Sequence, residues 1–179
     1  MKKKKAIIYI SLAIVSVVII FCVLTNPYYY YVESIGYSFP KSLLNLKGSS
    51  GMWGEHKYIY LKFNIDRNDI NKIIKKREMI SEKQFASMGE TSVKRGVQFN
   101  SSGFTITYQN DHNSIRDEVI INFKEIVKSK QWWKPGEELD KNTLEVYVNE
   151  GVWDNMLVDT EEYLLYDPGK SLVYYVCSG

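Results

Sequence analysis

The side chains most often used in metal binding and nucleophilic catalysis are scarce in this chain and lie far apart. Its 179 residues include two histidines, His56 and His112, and two cysteines, Cys22 and Cys177. The sequence has neither the His-Glu-x-x-His spacing of a zinc enzyme nor the Gly-x-Ser-x-Gly turn of a serine hydrolase. We therefore predict no catalytic residue, no metal site and no cofactor, and we expect the protein not to be an enzyme.

Two adjacent tryptophans form the most distinctive local feature for recognition of a partner. Trp132 and Trp133 stand directly before Lys134 and Pro135. Tryptophan is enriched at binding surfaces because it supplies a large contact area at a low cost in conformational entropy. A second interpretation places one or both rings in the core, where a helix meets the sheet. Trp132 and Trp133 are thus candidate binding residues, with both interpretations open.

Opposite charges are concentrated in two different segments of the chain. Residues 134–179 carry ten acidic and three basic side chains, whereas residues 55–83 carry eight basic and five acidic ones. An acidic surface steers a basic partner towards it and speeds association. Asp159, Glu161 and Glu162 are therefore further candidate binding residues, and a basic toxin is one candidate partner. The alternative is a solvated surface that only keeps the domain soluble.

The positive charge of the chain lies mostly outside its folded region. The net charge is +2, but four lysines, Lys2 to Lys5, precede the first acidic residue, Glu33. The remaining sequence carries 19 basic and 21 acidic side chains. Nucleic-acid-binding domains concentrate positive charge on the folded domain itself. We therefore expect no nucleic-acid partner.

An uncharged apolar run, residues 6–24, follows the lysine block. As a helix this run would be about 28 Å long, close to the roughly 30 Å hydrocarbon core of a bilayer. The positive-inside rule keeps the lysines in the cytoplasm and exports the rest. We predict a single-pass protein of the cytoplasmic membrane that contacts lipid through this helix. Its parts would be a cytoplasmic tail (1–5), a transmembrane signal anchor (6–24), a juxtamembrane segment and loop (25–56) and an exported domain (57–179).

Two other fates of the apolar run stay open, namely cleavage as a signal peptide and lipidation at Cys22. The run is longer than the 7–15 apolar residues of a typical signal peptide. Phe21 is larger than the small residue that precedes a lipidated cysteine. The four tyrosines Tyr28 to Tyr31 follow the run, and they are typical of an aromatic belt at the membrane–water interface.

The pattern beyond residue 56 predicts an α+β domain with a mainly antiparallel sheet and two main helices. Tyr58–Ile65 alternates between apolar and polar residues, which indicates a strand. Asp66 can cap a following helix whose apolar stripe includes Ile70 and Ile73. Further strands are predicted around residues 93–99, 104–108, 143–148, 163–166 and 172–177.

Three further elements are predicted from local signals. A second main helix begins at Ser114, although the run Val119–Ile121 equally fits a strand. The Gly-Ser-Ser-Gly run Gly48–Gly51 predicts a flexible loop. Asp167-Pro168-Gly169-Lys170 fits a type II turn, because proline suits its second position and glycine its third.

Three segments together resemble a group of uncharacterised small bacterial membrane-anchored exported proteins. They are the opening Tyr58–Ile74, the step Trp132–Pro135, and the closing hairpin around Tyr163–Tyr166 and Val173–Tyr175. The resemblance implies a compact α+β binding domain without catalytic residues, and some such proteins resemble immunity proteins that neutralise toxins arriving in the periplasm. We therefore expect a membrane-anchored envelope protein with a non-enzymatic protein-binding domain. The alternatives are an immunity protein against a secreted or periplasm-acting toxin, and a small envelope enzyme.

Overall fold

N-terminal helices precede two antiparallel sheets in the computed structural model of this chain. The structure describes residues 2–36, 38–53, 56–81, 94–100, 103–109, 115–122, 130–149 and 162–178. The helices are α1 (Lys2–Thr25), α2 (Pro27–Ser34), α3 (Arg67–Lys76) and α4 (Pro135–Glu138). The strands are β1 (Leu44–Trp53), β2 (His56–Asn64), β3 (Met79–Ser81), β4 (Lys94–Asn100), β5 (Gly103–Gln109), β6 (Ile115–Asn122), β7 (Glu145–Asn149), β8 (Glu162–Asp167) and β9 (Leu172–Ser178).

The larger sheet has six strands in the order β1-β2-β9-β8-β7-β3, and every pair in it is antiparallel. The C-terminal hairpin β8–β9 therefore lies at its centre, with β2 beside β9 and β7 beside β8. The smaller sheet has the order β4-β5-β6 and is also antiparallel. The predicted α+β class with a mainly antiparallel sheet is confirmed.

Apolar side chains cover both faces of the six-stranded sheet. On one face, the helix face, α2 contributes Tyr31 and α3 contributes Ile70 to a cluster with Phe63 of β2. On the opposite face, the tryptophan face, Trp133 packs with Tyr60 and other buried residues. All six residues of β8 are buried. The alternation in β2 was therefore correct, but its more polar side also meets a core.

Local signals between β2 and α3 act as the sequence predicts. The Asp66 carboxylate accepts a hydrogen bond from the backbone N–H of Asp69 at 2.8 Å, which satisfies a free donor at the start of α3. Ile70 and Ile73 are buried on one side of the helix. Cys177 is buried as expected, and burial raises the pKa of its thiol to about 11.

The prediction of a second main helix is wrong for the residues that the structure describes there. Ile115–Asn122 forms β6, which pairs with β5 and places Ile120 opposite Thr105. The alternative reading of the run around Val119 as a strand is the correct one. A β-branched run favours a strand, and the neighbouring hairpin β4–β5 supplies an edge with which it can pair.

The prediction of a loop at Gly48–Gly51 is also wrong. These residues belong to β1 and pair with Ile59, Leu61 and their neighbours in β2. A Cβ atom at Gly48 would lie 3.1 Å from Cα of Pro27 and 3.0 Å from a methyl carbon of Leu61. The glycine thus permits close packing of α2 on the strand. The sheet begins inside the segment that the sequence assigned to the juxtamembrane region.

The turn between β8 and β9 is not of type II, because Gly169 does not adopt the positive φ that this turn requires. The Asp167 carboxylate instead accepts hydrogen bonds from the backbone N–H groups of Gly169 (3.0 Å) and Lys170 (3.3 Å). Ser171 then takes the left-handed conformation, with a φ of 49°. An Asx turn closed by a left-handed residue therefore joins the two central strands.

The N-terminal helices include one candidate for a membrane segment. No single helix among the described residues is long and apolar enough to cross a membrane. The pair Tyr9–Cys22 and Pro27–Ser34, bent by 59° at the break between them, has the length and composition of a broken span, and a signal sequence near the N-terminus has the same properties. Tyr30 and Tyr31 of the second helix are buried against the sheet, so they do not join an interfacial belt.

We predict that Gly48→Ala destabilises the fold by about 1–3 kcal/mol, because the added methyl group would meet the backbone of Pro27 and overpack the contact. Gly51→Ala is the matched control in the same strand. Its Cβ would make an ordinary 3.5 Å contact with the Tyr60 ring, so it should be neutral or slightly stabilising. Urea unfolding of the full chain in detergent, followed by tryptophan fluorescence, measures both. Equal midpoints for the two variants would refute close packing at Gly48.

Candidate functional site

A cleft of about 690 Å³ opens on the tryptophan face, where β1 and β2 meet α4 and the turn before β9. Three lysines line it, together with two acidic residues, two asparagines and two leucines. The lining residues are Asn45, Leu46, Lys47, Lys62, Asn64, Glu137, Glu138, Lys170 and Leu172. The cleft therefore combines polar and apolar walls with an excess of cationic side chains.

A bulge in β1 shapes one wall of this cleft. The register between β1 and β2 shifts between Leu44 and Lys47, and Asn45 within the bulge has φ 53°, in the left-handed region. Asparagine tolerates this conformation better than most residues. Its side-chain amide donates to the Asn64 amide oxygen at 3.1 Å, and Asn64 in turn donates to the carbonyl of Lys170 at 3.1 Å. Bulges often re-aim side chains beside binding sites.

Glu138 lies at the centre of the polar contacts in the cleft. Its carboxylate accepts hydrogen bonds from the Lys62 ammonium and from the Tyr174 hydroxyl, the latter at 2.7 Å. Lys170 donates to the backbone carbonyl of Glu138. The Lys62 ammonium also lies 5.4 Å from the centre of the Tyr174 ring, within the range of a cation–π contact. These contacts fix the α4 end of the cleft to β2 and β9.

The protonation states in this group follow from its contacts. Burial raises the pKa of Glu138, but the hydrogen bonds from Lys62 and Tyr174 outweigh it, and the net pKa lies below the ordinary value of 4.5. Burial, together with the hydrogen bond to Glu138, raises the pKa of Tyr174. At neutral pH the pair is thus a carboxylate and a neutral phenol. The group can hold charge and position side chains, and neither member is poised to exchange a proton.

Two other ion pairs repeat this combination of a cation, a carboxylate and a tyrosine. Arg67 binds Glu145 through two hydrogen bonds of 2.5 and 2.6 Å, and the Tyr147 hydroxyl donates to the same carboxylate at 2.8 Å. The Arg67 guanidinium also lies 4.6 Å from the centre of the Tyr166 ring. A second arginine, Arg77, makes an equivalent pair with a glutamate of β8.

That second pair joins Arg77 to Glu162 on the helix face. The guanidinium donates two hydrogen bonds of 2.7 and 2.8 Å, and the Tyr175 hydroxyl donates a third at 2.6 Å. The Glu162 side chain is only 7% exposed. The hydrogen bond to Glu162 raises the pKa of Arg77 further above its ordinary value. The carboxylate is therefore a buried, fully neutralised group.

The structure places the sequence-predicted binding residues at different locations. Trp133 is 2% exposed and contacts the Tyr174 ring edge-on at 4.9 Å, as in the interpretation that assigned it to the core. Trp132 is half-buried and contacts Trp133 at 5.7 Å. Glu162 lies on the opposite face of the sheet from these rings. Asp159 and Glu161 lie outside the described residues.

The lysines of the cleft were not among the residues singled out from the sequence. The opposite charges of two segments could have indicated them, since Lys62 belongs to the basic segment and its partner Glu138 to the acidic one. Within the described ranges, no group of three or more histidine, cysteine or acidic residues is arranged to hold a metal ion. No protein-family model, curated protein or solved structure matches this chain.

We predict that Lys62→Met costs the fold stability at neutral pH and that this cost shrinks in acid. The low pKa of Glu138 means that its contacts stabilise the fold above the ordinary value of 4.5, and this contribution is lost as the pH falls through the lower folded value. Without Lys62, burial favours the protonated carboxyl of Glu138, so its protonation no longer costs the variant stability. The loss should be about 1–2 kcal/mol at neutral pH and clearly smaller at the lowest pH at which the parent chain stays folded. Urea unfolding at the two pH values, followed by circular dichroism, measures the difference.

Lys134→Met is the control for that comparison, since its pair with Glu137 at 2.9 Å is exposed on both sides. It should cost less than about 1 kcal/mol at both pH values. An equal loss at both pH values in Lys62→Met would show that this lysine does not set the protonation of Glu138.

We predict that Arg77→Met costs about 3–5 kcal/mol, because it leaves the buried Glu162 carboxylate without its cation. The double variant Arg77→Met with Glu162→Met should recover most of that loss, since it removes the buried charge as well. Denaturant unfolding of the two variants gives the comparison. A single variant as stable as the parent chain would contradict the assignment of Glu162 as a buried, neutralised carboxylate.

Proposed function

We propose that this chain is a membrane-anchored protein of the bacterial cell envelope whose α+β domain binds another protein without catalysing a reaction. The observation that carries the proposal is the junction between α1 and the sheet. The hydrophobic helix α1 is followed after Asn26 by α2, which buries Tyr30 and Tyr31 against the sheet. The packing of α2 on the sheet thereby holds the domain next to the end of the apolar helix α1.

The surface of α1 supports an anchoring role. Its large apolar side chains between Tyr9 and Phe21 are 54–70% exposed. A helix with exposed apolar side chains on all sides is unfavourable in water and favourable in hydrocarbon. Lys2 to Lys5 precede it, and the positive-inside rule keeps them in the cytoplasm. The proposed topology is a single pass with the domain outside the cytoplasm.

The lysine-lined cleft supports a binding role and indicates the chemistry of the partner. Glu137 and Glu138 each have a lysine partner, Lys134 and Lys62. Lys47 and Lys170 are exposed at its rim, where Lys170 lies 3.9 Å from the Asp167 carboxylate and Lys47 forms no ion pair with another described residue. An acidic side chain of a partner would complement this rim. The predicted acidic face favoured a basic partner, and of its three candidate residues the structure describes only Glu162, which Arg77 neutralises within the domain.

Photo-crosslinking in native membranes tests the proposal. We expect a crosslinker at Lys47 to capture one protein in the carbonate-resistant membrane fraction, because that residue lies at the rim of the cleft. Adding Lys170→Glu should lower the yield about tenfold, which corresponds to the loss of about 1.4 kcal/mol of binding free energy. The readout is the crosslinked product on an immunoblot.

A crosslinker at Lys75, an exposed lysine of α3 remote from the cleft lining, is the control and should give no such product. Equal products at Lys47 and Lys75 would contradict binding at the cleft. Recovery of the intact chain in the soluble fraction would contradict the anchor.

A further inference from the structure

Exposed apolar side chains lie at the start of α2 and in the segment that leads into β1. Tyr28 is 51% and Phe39 46% exposed, and their rings meet edge-on at 5.4 Å. Tyr29, the next residue of α2, and Leu44, the first residue of β1, are also exposed. We call these four residues the aromatic patch (Tyr28, Tyr29, Phe39 and Leu44). Exposed apolar groups that share one location indicate a surface with a partner.

The contacts of α2 show how this patch is oriented along the domain. The start of α2 lies on Gly48, where Pro27 would meet an added Cβ at 3.1 Å. The end of α2 lies near Lys57, which pairs with Glu33 and stands opposite Met52 in the sheet. The helix thus runs along β1 from Gly48 towards Met52. Leu44 lies beyond the start of the helix, on the side of α1.

The bend between α1 and α2 determines how far each end of β1 lies from the membrane surface. The two helices are inclined by 59°. For an α1 that crosses along the bilayer normal, α2, about 12 Å long, climbs about 6 Å away from the surface between its ends. The Leu44 end of β1 is therefore the lower one, and the Met52 end the higher one.

The patch is rigidly connected to the core and bordered by positive charge. Phe39 also contacts Tyr31 at 5.3 Å, and the fully buried Tyr31 ring contacts Phe63 of β2. Lys41, two residues after Phe39, is exposed, and it forms no ion pair with another residue that the structure describes. Aromatic rings with a nearby lysine suit the headgroup region of a bilayer that contains anionic lipid.

We propose that the aromatic patch lies in the headgroup region of the bilayer, so that the domain rests on the membrane in one orientation. The occupant of the patch is the lipid surface itself. This inference depends on the proposed anchor, because α1 brings the patch to the bilayer. The domain thus lies on the membrane surface and exposes the Met52 end of β1 to water.

Fluorescence quenching by brominated lipid tests the orientation with two matched variants. Leu44→Trp and Met52→Trp alter the two ends of β1 at residues that are 62% and 67% exposed. The full chain is reconstituted in phosphatidylcholine–phosphatidylglycerol vesicles whose lipids carry bromine near the headgroup, and the signal of the native tryptophans is subtracted. We expect quenching of Leu44→Trp at least about twice that of Met52→Trp, because the headgroups surround only the lower end.

Each alternative result has a definite meaning. Equal quenching of the two variants would overturn the proposed orientation, and no quenching of either would overturn it by showing that the patch faces water, where a protein would be its partner. Phe39→Trp is the second variant if Leu44→Trp loses its native circular dichroism spectrum, and it carries the same expectation. Flotation of the vesicles without the chain would instead contradict the anchor and hence the proposed function.

Discussion

Pairing between cations of one segment and carboxylates of another holds the strands of the large sheet in place. Lys62, Arg67 and Arg77 lie in or beside the β2–α3 unit, and each binds a glutamate that comes much later in the chain. A carboxylate at the surface of a core is costly unless its charge and lone pairs are satisfied. Each cation thereby fixes the position of a distant element, and a tyrosine hydroxyl completes each site.

The central strand β9 contributes one tyrosine of these sites to each face of the sheet. Tyr174 and Tyr175 are consecutive, so their side chains point to opposite faces. Tyr174 donates to Glu138 beside the cleft, and Tyr175 donates to Glu162 under α3. Since β9 lies between β2 and β8, these hydrogen bonds connect the cation-bearing unit to the acidic segment on both sides. Three ion pairs between the basic and the acidic segment thus lie within the fold, and the cleft rim and the aromatic patch are open surfaces of the part that the structure describes.

Local signals predicted the parts of the fold that local interactions decide. The alternation in β2, the cap at Asp66 and the hairpin around Asp167 depend on neighbours in sequence, and all three elements are present. The turn type was missed because the Asp167 carboxylate, and not glycine, organises the backbone. Residues 115–122 fit a helical stripe almost as well as a strand, and their pairing with β5 decided between the two.

The pairs within the cleft could not be predicted, because tertiary contacts decide them. Lys62 appeared as one polar residue of an alternating strand, and nothing near it in sequence indicates Glu138 as its partner. Gly48 likewise lies in a Gly-Ser-Ser-Gly run that is typical of a loop, and only the tertiary contact with Pro27 explains its place in a strand. Trp133 was ambiguous because a tryptophan suits a core and an interface equally well, and its contact with Tyr174 places it in the core.

Strand β1 connects the cleft with the surface that receives α2. Lys47 lines the cleft on the tryptophan face, whereas the adjacent Gly48 receives α2 on the helix face. Because Cβ positions alternate across a strand, one short segment touches both sites. A domain that rests on the bilayer through its aromatic patch would therefore hold the cleft close to the lipid surface. A partner that approaches along the membrane would meet the lysines first, which favours association with another envelope protein over a freely diffusing one.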